Sequence, residues 1–177
     1  MNATPENYAL IAYLAKTANG DRKLGKKALQ KLVHLISEIA RVPVGYRFRL
    51  YTYGPFSREL ASDVDILDNL GAINVTFNAD RNGYEISSAS YVDDYVSKAE
   101  RYIDDNKKSI DFVIERFGGK LAKELELYSM VTFILKEGLV QNLNDDEAVV
   151  AKFREIKPHY TTQQVQQGLR EVRELLH

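Results

Sequence analysis

Cysteine is absent from the 177 residues. Its absence removes disulfides, thiol nucleophiles and zinc–thiolate sites together. Histidine is scarce, limited to His34, His159 and His177. None stands in a recognisable catalytic signature, so no nucleophile–base pair suggests itself. The chain has no Walker-type phosphate loop and no Gly-x-Gly-x-x-Gly fingerprint. No apolar run approaches the roughly 18 residues that span a bilayer. The opening stretch MNATPENYAL lacks a basic segment followed by an apolar one. A signal peptide is therefore not expected, and a cytoplasmic location is. Paired carboxylates do occur, at Asp93-Asp94, Asp104-Asp105 and Asp145-Asp146. Neighbours on a helix diverge, so such pairs do not by themselves converge on one ion. The expectation is a protein with no enzymatic activity, no metal and no cofactor.

What is present is an ordinary globular composition. Apolar residues make up 45% and charged residues 28%, enough for a packed core. The net charge of -1 hides an asymmetry. Residues 1–50 carry an excess of six positive charges, and residues 51–177 an excess of seven negative ones. A basic first third can be a solvated helix face or can meet an anionic partner.

Periodicity places the elements. Thr4 caps a first helix with Pro5 at its first position. Tyr8, Ile11, Ala12, Ala15 and Ala18 share its spacing, and Asn19-Gly20-Asp21 closes it. A second, amphipathic helix runs from about Gly25 to Arg41, with Leu29, Leu32, Val33, Ile36 and Ile39 on one side. Lys27, Lys31 and His34 recur on another side, and a solvent-facing or rim position is expected for His34. Arg47 to Tyr51 alternate as a strand, with Phe48 and Leu50 on one face. Tyr53-Gly54-Pro55-Phe56 reads as a rigid turn. Ser57 caps a third helix that Gly71 ends, with Leu60, Val64, Leu67 and Leu70 as its buried stripe. Strands at 72–77 and 84–87 flank a hairpin tip at Asn78–Gly83. This ribbon is the expected wing.

The rest is helical. The pattern from Tyr91 to Phe117 predicts one long helix, with a slip at Asp104-Asp105-Asn106. Leu121 to Lys136 is apolar around much of its girth and predicts a central core helix. Asn144 with Glu147 predicts a capped helix to about Ile156, which Pro158 stops. Thr161 with Gln164 predicts a second capping box before a last helix carrying Val165, Leu169, Val172 and Leu176. The best boundary is Ser87–Ser90. The expected architecture is α+β and mostly helical, with a winged-helix-like unit at 1–90, a helical unit at 91–177, and one compact domain as the alternative.

Three segments carry a family resemblance: Lys27–Leu35 (KALQKLVHL), Tyr53–Ser57 (YGPFS) and Leu67–Gly71 (LDNLG). They resemble the pattern of the Panacea (SocA-like) antitoxin domain, and more closely that of YwgA-like proteins of bacteria and archaea. Leu125–Leu135 and Lys157–Leu175 extend the resemblance over most of the chain. The resemblance implies binding without catalysis, in which an antitoxin neutralises a cognate toxin by direct contact.

Basic and aromatic residues cluster about the Gly54-Pro55 turn. Lys27, Lys31, His34, Arg47, Arg49, Tyr51, Tyr53, Phe56 and Arg58 form the candidate partner-binding surface, since Tyr and Arg commonly anchor interfaces. The leading expectation is a protein partner, a cognate toxin by resemblance. The alternative is a DNA-binding regulator with a winged helix. Against that alternative stands the third helix, which sets Arg58 against Glu59, Asp63, Asp65 and Asp68. A homodimer is compatible with either expectation, and no membrane partner is expected.

Overall fold

The computed structural model describes residues 4–17 and 24–176. Eight helices and five short strands are found among them. In chain order these are α1 (Pro5–Thr17), β1 (Leu24–Gly25), α2 (Lys26–Glu38), β2 (Arg49–Tyr51), β3 (Gly54–Phe56) and α3 (Arg58–Asn69). They continue with β4 (Ile73–Asn78), β5 (Gly83–Ser88), α4 (Val92–Ser97), α5 (Glu100–Phe117), α6 (Ala122–Lys136), α7 (Asp146–Ile156) and α8 (Thr162–Leu176). The chain is α+β and mostly helical, as its patterning predicts. No helix among the described residues is long and apolar enough to cross a membrane.

Local chemistry sets most of the boundaries. Thr4 Oγ1 accepts from Asn7 N at 3.3 Å and starts α1. Ser57 Oγ accepts from Leu60 N at 3.3 Å and starts α3. Gly71 leaves α3 with φ +70°, a conformation a Cβ disfavours. Thr161 and Gln164 cap each other reciprocally before α8, at 2.9 and 3.2 Å. One expected cap is displaced. Asp145, not Asn144, caps α7, accepting from Ala148 N at 3.0 Å, while Asn144 N donates to Asn142 Oδ1. The expected close of α1 at Asn19-Gly20-Asp21 lies outside the described residues.

Two small antiparallel sheets form. β4 and β5 pair along their whole length, and β1 adds to the far side of β5. The second sheet is a hairpin that the sequence pattern does not reveal. β2 and β3 pair with Arg49 opposite Phe56 and Tyr51 opposite Gly54. Gly54-Pro55 is therefore strand, not turn. Pro55 has no N–H, but a two-stranded ribbon leaves it an edge where none is needed. Phe48 and Leu50 also part company. Phe48 is half-buried against the core, whereas Leu50 is exposed.

The predicted long helix at 91–117 is two helices, and the break falls at Lys98-Ala99, not at Asp104–Asn106. Ala99 takes φ -136° and ψ 44°, outside the helical region. The helix continues through the acidic stretch because polar groups there have partners. Asn106 Nδ2 bonds the Tyr102 carbonyl at 2.8 Å. Lys107 pairs with Asp111 at 2.8 Å, and Tyr13 Oη donates to Asp111 Oδ1 at 2.6 Å. The apolar period resumes at Ile110, Val113 and Phe117, all fully buried.

Two helices lie at the centre. α1 is buried around its girth from Ala9 to Ala15 because α3, α4, α5 and β5 surround it. α6 is buried from Leu127 to Leu135, with α2, α7, α8 and β3 packed around it. One apolar cluster joins both neighbourhoods. Phe117 is a link in it, edge-on to Tyr128 with ring centres 5.2 Å apart. Replacing Phe117 by Ala is expected to remove about 3–5 kcal/mol of stability. Urea unfolding reads this as a lower midpoint at unchanged slope. A loss under about 1 kcal/mol would contradict its place in the core.

Candidate functional site

The β2–β3 hairpin is held from beneath by side chains of α2, α6 and the loop before α8. Gln30 makes two bonds with one residue. Its Nε2 donates to the Ser57 carbonyl and its Oε1 accepts from Ser57 N, both at 2.9 Å. Lys31 is buried, with only 4% of its surface exposed, and its Nζ donates to the Pro55 carbonyl at 2.7 Å. Lys157, also buried, donates to the Thr52 carbonyl. Two ammonium groups thus grip the hairpin by its main chain.

Glu126 balances these charges. Lys157 Nζ closes on Glu126 Oε1 as an ion pair, although this oxygen receives no aligned hydrogen bond. Tyr160 Oη lies 3.1 Å from Glu126 Oε2 and 2.8 Å from the Lys123 carbonyl. Burial, reinforced by Glu126, pushes the Tyr160 phenol well above its usual range. Gly54 fits over this cluster with φ +82°, and a Cβ there would stand 3.6 Å from Glu126 Cγ and 3.8 Å from Lys31 Cε. The left-handed backbone, more than the space, calls for glycine here.

The nine candidate residues divide cleanly. Lys27, Arg47, Arg49, Tyr51, Tyr53 and Arg58 are exposed, and Phe56 is half-buried beside them. These seven share one outward face. Lys27 Nζ stands 3.8 Å above the Tyr53 ring, and the Tyr51 and Phe56 rings are 5.5 Å apart. Two adjoining hollows mark the face. One, of about 240 Å³, lies between α2, α3 and the hairpin. The other, of about 430 Å³, is bounded by Arg47, Arg49, Arg58 and Glu59. Tyr51 and Phe56 form the wall between them. Among the described residues no carboxylate stands within ion-pair reach of Arg47, Arg49 or Arg58.

Lys31 and His34 lie beneath this face and do not share its exposure. The expected rim position of His34 is corrected to a core one, with 2% exposure. Its Nδ1 is 2.9 Å from Ser129 Oγ, and its ring packs between Phe48 and Phe133. Burial lowers its pKa to about 3, so it is neutral. The polar side of α2 reads as solvated because the sequence cannot announce that α6 and the hairpin cover it. Glu126, Lys157 and Tyr160 are the residues sequence reasoning missed. The available signal was weak: Glu126 is the one acid inside the apolar run Leu125–Tyr128, and Lys157 precedes a helix-stopping proline.

α3 is less acidic outwardly than its sequence suggests. Asp63 turns inward and accepts from Tyr46 Oη at 2.8 Å. Asp68 accepts from Val75 N at 2.8 Å. Asp65 pairs with Lys26 at 2.7 Å. Among the described residues no group of three His, Asp or Glu converges to hold a metal ion.

No family model matches the chain. It is similar to the protein named "Uncharacterized protein YwgA" of Bacillus subtilis (strain 168). The two are 26% identical over 156 residues, which is 86% of this chain and 87% of that protein. The YwgA-like part of the resemblance thus extends along most of the chain, and the similarity does not bear on the antitoxin domain.

Lys31 supplies a pH test of the cluster. Burial lowers its pKa from 10.5 to about 8, with Lys157 and Lys27 adding to that effect and Glu126 opposing it. The folded chain therefore releases this proton more readily than the unfolded one. Between those two values the unfolded state holds more protons, so this group's contribution to stability rises with pH. Below the lower value the cost of burying the ammonium is fully present. The unfolding free energy of the wild type is expected to gain on that of Lys31→Met by up to about 1.4 kcal/mol per pH unit across this window. Parallel pH profiles would contradict it.

Proposed function

We propose that this chain is a non-catalytic protein-interaction module that binds a protein partner and covers its working face, as the resemblance to an antitoxin domain implies. The observation that carries the reading is the gathering of Lys27, Arg47, Arg49, Tyr51, Tyr53, Phe56 and Arg58 on one outward face. Aromatic and arginine side chains at such a face are the usual anchors of protein interfaces. Unpaired arginines favour a partner of opposite charge, because association then neutralises them without first breaking internal pairs. The buried grip on Thr52 and Pro55 supports the same reading. It holds the hairpin in place before contact, and a preorganised surface loses less conformational entropy on binding.

A second reading, a winged-helix regulator of DNA, draws on the element order. α1, β1, α2, α3 and the β4–β5 hairpin come in that order, with the β2–β3 hairpin inserted between α2 and α3 and β1 paired to β5, an order that resembles a winged helix. In that reading α3 would enter the major groove. Its exposed residues are Arg58, Glu59, Ser62, Asp65, Ile66 and Asn69, one cation against two carboxylates. Phosphates are not favoured there, so the protein-binding reading stands first.

The test is capture of the tagged chain from its native host, with and without nuclease, beside a variant carrying Arg47→Glu, Arg49→Glu and Arg58→Glu. All three arginines are exposed, so the fold is expected to survive. The reading predicts a stoichiometric protein partner that survives nuclease and binds the variant about a hundredfold more weakly. Recovery of nucleic acid, with every protein lost to nuclease, would contradict it and favour the regulator.

A further inference from the structure

The smaller of the two hollows has a floor and a rim of different chemistry. Its walls are apolar: Leu29 of α2, Ala61 and Val64 of α3, and the rings of Tyr53 and Phe56. Of the polar side chains that line it, Lys26 pairs with Asp65, and the two buried ones, Gln30 and Lys31, already have partners. Gln30 uses its amide on both main-chain groups of Ser57, and Lys31 donates to the Pro55 carbonyl. Among the described residues no buried side-chain polar atom in the floor is without a hydrogen-bond partner, so an apolar group is the occupant that costs least. The rim is cationic. Lys27 stands 3.8 Å over the Tyr53 ring, and Arg49 and Arg58 flank the neighbouring hollow. Size narrows the occupant further. At about 240 Å³ the hollow is smaller than the roughly 300–1,000 Å³ of pockets that enclose whole small molecules. It suits one large side chain.

We infer that this hollow is a socket for a single bulky apolar side chain, aromatic for preference, presented by a partner segment whose neighbouring residues are Asp or Glu. The inference rests on the protein-binding reading above and specifies its chemistry. The apolar residue fills the space between α2, α3 and the hairpin, and the flanking carboxylates meet Lys27, Arg49 and Arg58. Such a buried anchor within a charged surround is how interfaces concentrate affinity in few residues. Phe or Trp also gains from contact with the Tyr53 and Phe56 rings that line the hollow.

The test uses three fluorescein-labelled peptides: Asp-Glu-Trp-Glu-Asp, Asp-Glu-Ala-Glu-Asp and Lys-Lys-Trp-Lys-Lys. Anisotropy titrations with the intact chain are expected to show saturable binding of the first, about tenfold or more tighter than either other peptide. Ala61→Phe, which fills the socket, is expected to abolish that preference. Tyr53→Ala removes a wall at an exposed position and is expected to do the same without disturbing the core. Equal binding of the Trp and Ala peptides, no binding of either, or an unchanged preference in both variants would overturn the socket. So would a short oligo-dT strand that binds more tightly than the first peptide and depends on the same two residues. The two claims separate in the capture experiment. A partner weakened by arginine reversal but indifferent to Ala61→Phe and Tyr53→Ala would overturn the socket and leave the binding reading standing.

Discussion

One carboxylate, Glu126, holds together the part of the molecule that faces outward. It lies against the Lys157 ammonium and within reach of the Tyr160 hydroxyl, with the Lys31 charge close enough to be felt. Both lysines turn their donors to carbonyls of the β2–β3 hairpin. Buried ammonium groups without an opposing charge are strongly destabilising, and removing one partner of a buried pair costs about 3–5 kcal/mol. Two lysines can grip the hairpin only because a carboxylate on α6 offsets them. α6 belongs to the later helical stretch and the hairpin to the earlier one. The cluster therefore joins the two stretches at the place where the candidate face is displayed.

This arrangement separates holding from showing. The hairpin's main chain is fixed from below, through Pro55, Thr52 and the Gln30 clasp on Ser57. The side chains from Arg49 to Tyr53 are left exposed. Tyr51 and Tyr53 are more than half exposed, and the arginines beside them have no ion-pair partners among the described residues. Of the exposed aromatic rings and the arginines beside them, only the rings are costly to leave in water. They have a use where a partner brings both apolar surface and negative charge. The geometry thus connects a buried electrostatic device to the exposed candidate face, with the hairpin as the intermediary.

The sequence was most legible where one residue decides the local backbone. Ser57, Gly71 and the Thr161–Gln164 pair mark helix ends by chemistry that acts within a few residues. The Asn78–Gly83 tip was legible for the same reason. It was least legible where distant segments decide. Lys31 and His34 sit on the polar side of an amphipathic helix, and nothing within α2 says that α6 and a hairpin will cover that side. Gly54-Pro55 carries strong turn chemistry, yet pairing with β2 makes it a strand. Asp63 looks like surface acid until Tyr46 is placed beside it. The candidate face was legible as a cluster around one turn. Its buried support was not, because Glu126, Lys157 and Tyr160 are far from that turn in the chain.

The central claim is that the buried charge cluster fixes the hairpin, and amide hydrogen exchange on Glu126→Gln tests it most directly. Gln keeps the shape of the side chain and an acceptor for Tyr160 while removing the charge that balances Lys31 and Lys157. The account predicts that the amides of residues 49–54 and 56 lose protection by about tenfold or more, while those of α1 and α5 keep theirs. Unchanged protection in the hairpin, or an equal loss throughout the chain, would contradict it.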